Sequence, residues 1–263
     1  MIYNKEYEWS DCMENIWHIY WSPTYSSYKV GTYIVNQLSK EKREVDLCQY
    51  QETSVTIENG LCVFAMPCYG GRIPQVAIQR LQKIQGINSR AIICITFGNR
   101  AFEDALLELK DVVENLGFKV IGACAIVTEH NIMHVYGTGR PNAQDLRDID
   151  EFVKEVKIKI KKHEHIHIQV PGQRPYKEWL AHIVPILFEE DKCIRCGLCV
   201  RECPMNAISN ENFMTNMDLC INCMRCISIC PKQCKSLPHE HVEGLIERLK
   251  NACQLKKENQ FYK

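Results

Sequence analysis

Short apolar runs alternate with longer segments of helical period along the first two-thirds of the chain. The runs predict strands at residues 16–21, 45–48, 61–66, 91–97 and 120–127, because continuous apolar stretches are typical of strands buried on both faces. The periodic segments predict helices at residues 29–40, 74–84, 101–116 and 141–161. Strands that alternate with helices predict an α/β domain with a doubly wound, five-stranded parallel sheet.

Three polar loops follow predicted strands, at the edge where such sheets bind ligands. They are formed by Ser22, Pro23, Thr24, Tyr25, Ser26 and Ser27, by Pro67, Cys68, Tyr69, Gly70 and Gly71, and by Gly98, Asn99 and Arg100. The first loop is rich in hydroxyls and leads into a helix N-terminus, which favours an anion. The glycines of the second loop allow the backbone to approach a flat ligand closely.

Eight of the sixteen cysteines form a repeated unit in the last third of the chain. The pattern C-x2-C-x2-C-x3-C-P occurs twice, at Cys193, Cys196, Cys199 and Cys203 and at Cys220, Cys223, Cys226 and Cys230. This spacing is the bacterial iron–sulfur signature, in which the fourth cysteine of each run binds the other cluster. We therefore assign Cys193, Cys196, Cys199 and Cys230 to cluster one, and Cys220, Cys223, Cys226 and Cys203 to cluster two. The alternative is a pair of zinc sites, which need only four ligands each.

Composition restricts the function classes. The chain is 46% hydrophobic and 24% charged with a formal net charge of +0, which gives no support for nucleic-acid binding. Its acidic N-terminal residues lack the pattern of an export signal, and no apolar stretch is long enough for a membrane span. Cysteines without an export signal favour metal ligands over disulfides. We therefore expect a cytoplasmic protein.

Residues 169–175 contain two prolines and a glycine, which is typical of a connection between domains. We expect one domain at residues 1–170 and a small α+β domain with two clusters at residues 171–263. Residues 205–218 are expected to form a short helix and a strand that cover the clusters. Residues 238–256 are expected to form an amphipathic helix across this second domain. The alternating His163, His165 and His167 lie in a solvated linker or, alternatively, in a metal site.

Four short motifs in order, followed by the cysteine repeat, resemble bacterial ferredoxins that carry an N-terminal flavodoxin-like domain. The motifs are Ser-Pro-Thr at 22–24, Tyr-Gly-Gly-Arg at 69–72, Gly-Asn-Arg at 98–100 and Gly-Arg-Pro-Asn at 139–142, and the likeness covers residues 14–235. The resemblance implies FMN, with its phosphate on Ser22, Thr24, Ser26 and Ser27. It also implies an isoalloxazine ring between the loops at 67–71 and 98–100, stacked on Tyr69. In one departure, Tyr25 stands where flavodoxins have glycine, and tyrosine adopts a positive φ only with strain.

These observations predict an electron-transfer protein that passes single electrons between FMN, two [4Fe–4S] clusters and a redox partner protein. No residue in this scheme needs to act as a general acid or base. An electron carrier is therefore favoured over a substrate-converting enzyme. Two alternatives remain open, namely a flavin-dependent reductase of a small molecule and a flavin-free iron–sulfur sensor.

Overall fold

A computed structural model describes residues 15–49, 54–162, 167–179 and 184–263. His163, His165 and the acidic N-terminal segment lie outside these ranges. The strands are β1 (Ile16–Tyr20), β2 (Arg43–Asp46), β3 (Val55–Glu58), β4 (Leu61–Pro67), β5 (Ile84–Ile87), β6 (Ser89–Phe97), β7 (Phe118–Val127), β8 (Leu187–Phe188), β9 (Lys235–Ser236) and β10 (Gln260–Tyr262). The α-helices are α1 (Ser26–Leu38), α2 (Gln75–Leu81), α3 (Ala105–Asn115), α4 (Ala143–Lys161), α5 (Leu198–Arg201), α6 (Arg225–Ser228) and α7 (His239–Cys253). Among the described helices, none combines the length and apolar character that a membrane span requires.

The main sheet confirms the predicted doubly wound fold. Its strands lie in the order β10-β7-β6-β4-β1-β2, and the five strands from β2 to β7 are parallel. Numbered among themselves, these five strands have the order 2-1-3-4-5 of flavodoxin-like sheets. The sequence did not predict the sixth strand, β10, which pairs antiparallel with β7.

Helices cover both faces of this sheet, which explains the continuous apolar strands. Phe64 and Met66 of β4 belong to the cluster packed under α2 and α3. The neighbouring Leu61 and Val63 point the other way, into the cluster under α1 and α4. Because successive side chains of a strand point to opposite faces, both sets must be apolar when both faces are covered.

A small parallel pair, β3 with β5, was not predicted from the sequence. In β3 only Ile57 is buried, so the strand carries one apolar signal among polar residues. The strand β10 also carries a weak apolar signal, because its two aromatic residues follow a charged segment. Strands this short give too few alternating positions to be recognised from periodicity.

The prediction that the C-terminal helix packs across the cysteine-rich region is wrong. The helix α7 instead packs against Met133 and Tyr136, which follow β7. The Tyr136 hydroxyl donates to the carbonyl of Ile246 at 2.9 Å, and Cys253 is buried in the same contact. An amphipathic stripe predicts that a helix face is buried but does not say against what. The domain boundary at residues 170/171 stays a prediction, and Gln260–Tyr262 pairs with the first domain's sheet.

The cysteine-rich region is built mostly from turns. Its ends are joined by the antiparallel pair β8 and β9. The helix predicted within residues 205–218 is wrong, because this segment forms turns around an isolated bridge between Ile208 and Thr215. Asn206 has a φ of 51°, which interrupts a helical path. The apolar Ile208 and Phe213 are nevertheless buried, as a cover for the clusters requires.

Candidate functional site

A cleft of about 430 Å³ lies at the carboxyl edge of the main sheet and is open to solvent. Nine of the fourteen residues predicted for FMN line it: Ser22, Pro23, Thr24, Ser26, Ser27, Pro67, Cys68, Tyr69 and Gly98. The structure thus brings three loops together that are far apart in sequence.

The residues 22–27, which we call the phosphate loop, are fixed by their own hydrogen bonds. The Ser22 hydroxyl accepts from the backbone N–H of Tyr28 at 2.9 Å, and the hydroxyls of Ser27 and Thr96 lie 2.7 Å apart. Tyr25 precedes α1 with a φ of 65°, so it adopts the left-handed conformation expected of the glycine it replaces. The loop therefore keeps a backbone shape that presents N–H groups at the helix start to an anion.

Five predicted residues do not line the cleft: Tyr25, Gly70, Gly71, Asn99 and Arg100. Three of these support neighbouring structure. The Asn99 amide donates to the carbonyl of Cys253 at 2.6 Å, Arg100 pairs with Glu103 at 3.0 Å, and a Cβ on Gly71 would lie 1.8 Å from the Glu103 carboxylate. The predicted strand ends indicate which loops meet at this edge of the sheet. They do not indicate which side chains face a ligand and which hold the loop in place.

The loop after β7 contributes cleft residues that were not among the predicted site residues. These are Thr128, Glu129, His130 and Asn131, and Thr96 and Phe97 of β6 line the cleft as well. The His130 Nδ1 atom accepts from the backbone N–H groups of Ile132 and Met133, both at 3.1 Å, which leaves the ring proton on Nε2. Burial, and then the nearby charges, lower the pKa of His130 to about 4. The cleft therefore contains a neutral imidazole with one N–H donor.

Cys68 lies in the cleft wall but is not an activated thiol. Burial raises its pKa to about 12. Its sulfur lies 3.7 Å from the carbonyl oxygen of Phe102, to which the thiol donates. Because the thiolate is the reactive form of cysteine, this residue is a wall of the cleft and not a nucleophile.

The four cysteines predicted for cluster two line one cavity. Cys203, Cys220, Cys223 and Cys226 surround a mostly apolar space of about 350 Å³, although Cys203 comes from the other repeat. Burial, and then the thiols of Cys226, Cys203 and Cys220, raise the pKa of Cys223 to about 12, while a backbone N–H opposes the shift. Cysteines from both repeats therefore face one shared space.

The four cysteines predicted for cluster one are also neighbours. Burial raises the pKa of Cys199, and the thiols of Cys193, Cys230 and Cys196 add to this shift. Within the described ranges, no three His, Cys, Asp or Glu side chains are close enough together to hold a single metal ion.

Two further residues border the thiols. The sulfur of Cys234 lies 3.3 Å from that of Cys230 and is buried. Lys235 is buried as well, and its ammonium donates to the carbonyl of Phe213 at 2.8 Å and to Thr215 at 3.1 Å. Its positive charge lowers the pKa of Cys199, Cys220 and Cys226, opposing the larger effect of burial, so it reaches thiols of both clusters.

The cysteine-rich region lies against the cleft. Removal from water, and then the nearby thiols of Cys223 and Cys48, raise the pKa of the Tyr69 phenol. The guanidinium of Arg80 donates to the carbonyl of Pro204 at 2.5 Å, which ties the chain beside Cys203 to α2. The cysteines assigned to cluster two are therefore the set that borders the cleft. Among the cysteines assigned to cluster one, Cys196 is exposed.

Comparisons with protein families support the cluster assignment. Residues 186–209 and residues 217–236 each match a family described as a 4Fe-4S binding domain. Each match contains one complete run of four cysteines. The chain therefore carries two [4Fe–4S] clusters in its C-terminal part.

A comparison with curated protein sequences found no match. Among solved structures, the chain is similar to rubredoxin oxygen:oxidoreductase from Desulfovibrio gigas (11% identity, TM-score 0.41, 59% of this chain and 38% of that chain). It is also similar to a Fusobacterium nucleatum flavodoxin bound to flavin mononucleotide (15% identity, TM-score 0.38, 55% of this chain and 98% of that chain). The chain thus spans well under half of the first of these proteins. The strand order of the sheet itself, and not these alignments, is the basis of the fold assignment.

Proposed function

We propose that this chain is an iron–sulfur flavoprotein that passes single electrons between FMN, two [4Fe–4S] clusters and a redox partner protein in the cytoplasm. FMN exchanges electrons singly or in pairs, and each cluster carries one. The protein's part is to hold these cofactors close together and to tune them. The eight repeat cysteines are the proposed cluster ligands, and the fourteen predicted loop residues bind or support FMN.

The observation that carries this proposal is the contact between the two cofactor sites. Arg225 lies in the turn between the cluster-two ligands Cys223 and Cys226, and its guanidinium reaches the carbonyl of Pro23 in the phosphate loop at 3.5 Å. The segment that carries the cluster-two cysteines thus contacts the phosphate loop beside the cleft through one side chain. Such proximity supports direct electron exchange between an FMN in the cleft and cluster two.

The residues of the cleft fit FMN. Thr24 and Ser26 border the cleft beside the α1 N-terminus, where hydroxyls and backbone N–H groups bind phosphate. Pro67 and Tyr69 form an apolar wall for a flat ring. His130 adds a neutral N–H donor for a carbonyl or nitrogen at the ring edge. The chain supplies binding and orientation, and no proton transfer is required of it.

Cluster one is the proposed exchange point with the partner. Cys196 is exposed, and its neighbour Ile194 has 58% of its surface accessible. An exposed apolar side chain next to a cofactor ligand supports brief docking of another protein. The proposed order is therefore FMN, cluster two, cluster one and partner, in either direction.

A reductive titration tests this proposal. Oxygen-free protein is titrated with dithionite, and the flavin and cluster signals are followed by visible absorption and electron paramagnetic resonance. We expect uptake of about four electrons per chain, two by FMN and one by each cluster. Uptake of about two electrons with no flavin band would instead support the flavin-free sensor. Turnover of a small molecule by the isolated chain would support the reductase.

A further inference from the structure

Arg225 is a buried cation between the two cofactor sites that electron transfer itself does not require. It has 4% of its surface accessible, and it forms an ion pair with Glu202 of the cysteine-rich region. Its Nε atom is buried without a hydrogen-bond partner. A buried arginine whose donors are only partly satisfied is costly, so its position needs another explanation.

The guanidinium faces the phosphate loop. One amino group approaches the Pro23 carbonyl at 3.5 Å, and the guanidinium carbon lies 5.5 Å from the centroid of the Tyr25 ring. This arrangement is a cation–π contact. Arg225 does not line the cleft, so within the described structure it acts on the loop and not on the ligand position directly.

Tyr25 is the strained residue of that loop. Its φ of 65° is left-handed, a conformation that a non-glycine residue keeps only when its surroundings hold it there. The Tyr25 carbonyl accepts from Lys29 N–H at 2.9 Å, and its own N–H donates to Ser22 at 3.2 Å. The backbone of this residue therefore joins the loop to the first turn of α1, where the phosphate is proposed to bind.

We propose that Arg225 is a positioning residue that couples the cluster-two turn to FMN binding. By holding Pro23 and the Tyr25 ring, it keeps the phosphate loop in its left-handed, anion-binding shape. Because Arg225 lies between Cys223 and Cys226, the state of cluster two sets its position. FMN affinity and cluster-two integrity are then linked, and by reciprocity FMN stabilises the cluster-two turn. This inference rests on the proposed function, since it requires FMN in the cleft.

FMN titration of the reconstituted, oxygen-free protein tests the coupling, with flavin fluorescence quenching as the readout. We expect Arg225→Gln to weaken FMN binding roughly 3- to 10-fold, the size of one cation–π contact. Arg225→Lys keeps the charge and should restore part of the affinity. The matched control is Arg195→Gln, because Arg195 also lies between two cluster ligands but is exposed and pairs with Glu190. This control should bind FMN like the wild type.

A double-mutant cycle separates positioning from general structural damage. Tyr25→Gly removes both the strain and the ring, since glycine adopts a positive φ freely. In that background Arg225→Gln should weaken FMN binding by less than about 3-fold, because the ring contact is already gone. Iron content is measured for every variant, so that loss of cluster two is recognised.

The outcomes distinguish failure of the proposed function from failure of the coupling. If the wild-type protein does not bind FMN, the proposed function fails and the coupling with it. If the wild type binds FMN and Arg225→Gln matches Arg195→Gln, the proposed function stands and the coupling is refuted. An equal loss of affinity in the Tyr25 and Tyr25→Gly backgrounds would also refute it.

Discussion

The loop that walls the cleft after β4 depends on one buried ion pair. Glu108 of α3 accepts two hydrogen bonds from the Arg72 guanidinium, at 2.9 and 2.5 Å, and a third from the backbone N–H of Ile73 at 3.0 Å. The Glu108 side chain is 3% exposed. Substitution Glu108→Gln removes the charge and turns an N–H₂ group towards a donor, so Arg72 loses its carboxylate partner in a mostly buried position and keeps only its contacts with Lys177 and Tyr176.

The expected cost follows from this burial. Removing one partner of a fully buried pair costs about 3–5 kcal/mol. Arg72 keeps some contact with water, so we expect about 2–4 kcal/mol for Glu108→Gln. For a domain of this size, each kcal/mol lowers the midpoint of thermal unfolding by about 2–4 °C. The predicted decrease is therefore roughly 4–16 °C, followed by circular dichroism of the oxygen-free holoprotein.

The same helix provides a matched control. Lys110 and Glu114 form an ion pair at 2.6 Å, but the Glu114 side chain is 41% exposed. An exposed pair at this spacing contributes about 0.3–0.5 kcal/mol, so Glu114→Gln should lower the midpoint by no more than about 2 °C. Equal midpoints for the two variants would refute the argument that the buried pair fixes this loop.

Four further predictions follow from single side chains. The Cys230→Ser variant should lose about four iron atoms per chain, while the Cys234→Ser variant should keep about eight, because Cys234 borders cluster one without belonging to either set of four cysteines. Iron loss in both variants would contradict the assignment. Lys235→Met should lower both cluster midpoint potentials by on the order of tens of millivolts, since a buried positive charge favours the more negative reduced cluster; an unchanged redox titration would contradict this role. Burial, and then a nearby lysine, lower the pKa of the fully buried His18 to about 3. Between about pH 6.5 and pH 3 the folded protein therefore binds fewer protons than the unfolded chain. Stability should fall as the pH drops through that window, and His18→Phe should flatten the dependence measured by denaturant unfolding. Phe261→Ala should destabilise the protein by about 1–2 kcal/mol, because this residue of β10 packs on Phe152 with ring centroids 5.3 Å apart; unchanged unfolding would show that β10 adds little to the sheet.

The fold was predictable where a signal is repeated many times. Four of the five predicted strands and the four helices each carry several apolar positions, and strands covered by helices on both faces leave a continuous apolar pattern. The first residues of the helices were predicted less accurately. The helix expected from residue 141 begins at Ala143, because the Asn142 side chain accepts from the backbone N–H groups of Gln144 and Asp145 and caps it. Such caps depend on local geometry, which periodicity does not contain.

Contacts between distant segments could not be predicted. The helix α7 packs against Met133 and Tyr136 because the chain runs back to the main sheet after the cysteine-rich region. An apolar stripe on a helix does not indicate which segment it will contact. The same limit applies to Asn99, which was expected in the FMN site and instead binds the C-terminal segment through Cys253 and Lys257. In both cases the partner lies more than 100 residues away along the chain.

The cysteine centre was predictable because its signal is chemical and repeated. The interlocked sets were assigned from the rule that the fourth cysteine of each run binds the other cluster, and Cys203 lines the cavity of the second run. The position of Arg225 against Tyr25 had no such signal. The sequence indicated that Tyr25 replaces a glycine, but only the fold shows which residue of the second region contacts it.

The most direct test of the central claim is a measurement of iron, acid-labile sulfide and flavin per chain in protein purified without oxygen. The interlocked cysteine sets predict about eight iron and eight sulfide atoms, and the cleft predicts about one FMN. Zinc in place of iron, or about four iron atoms from a single cluster, would contradict the assignment of the eight thiolates to two clusters.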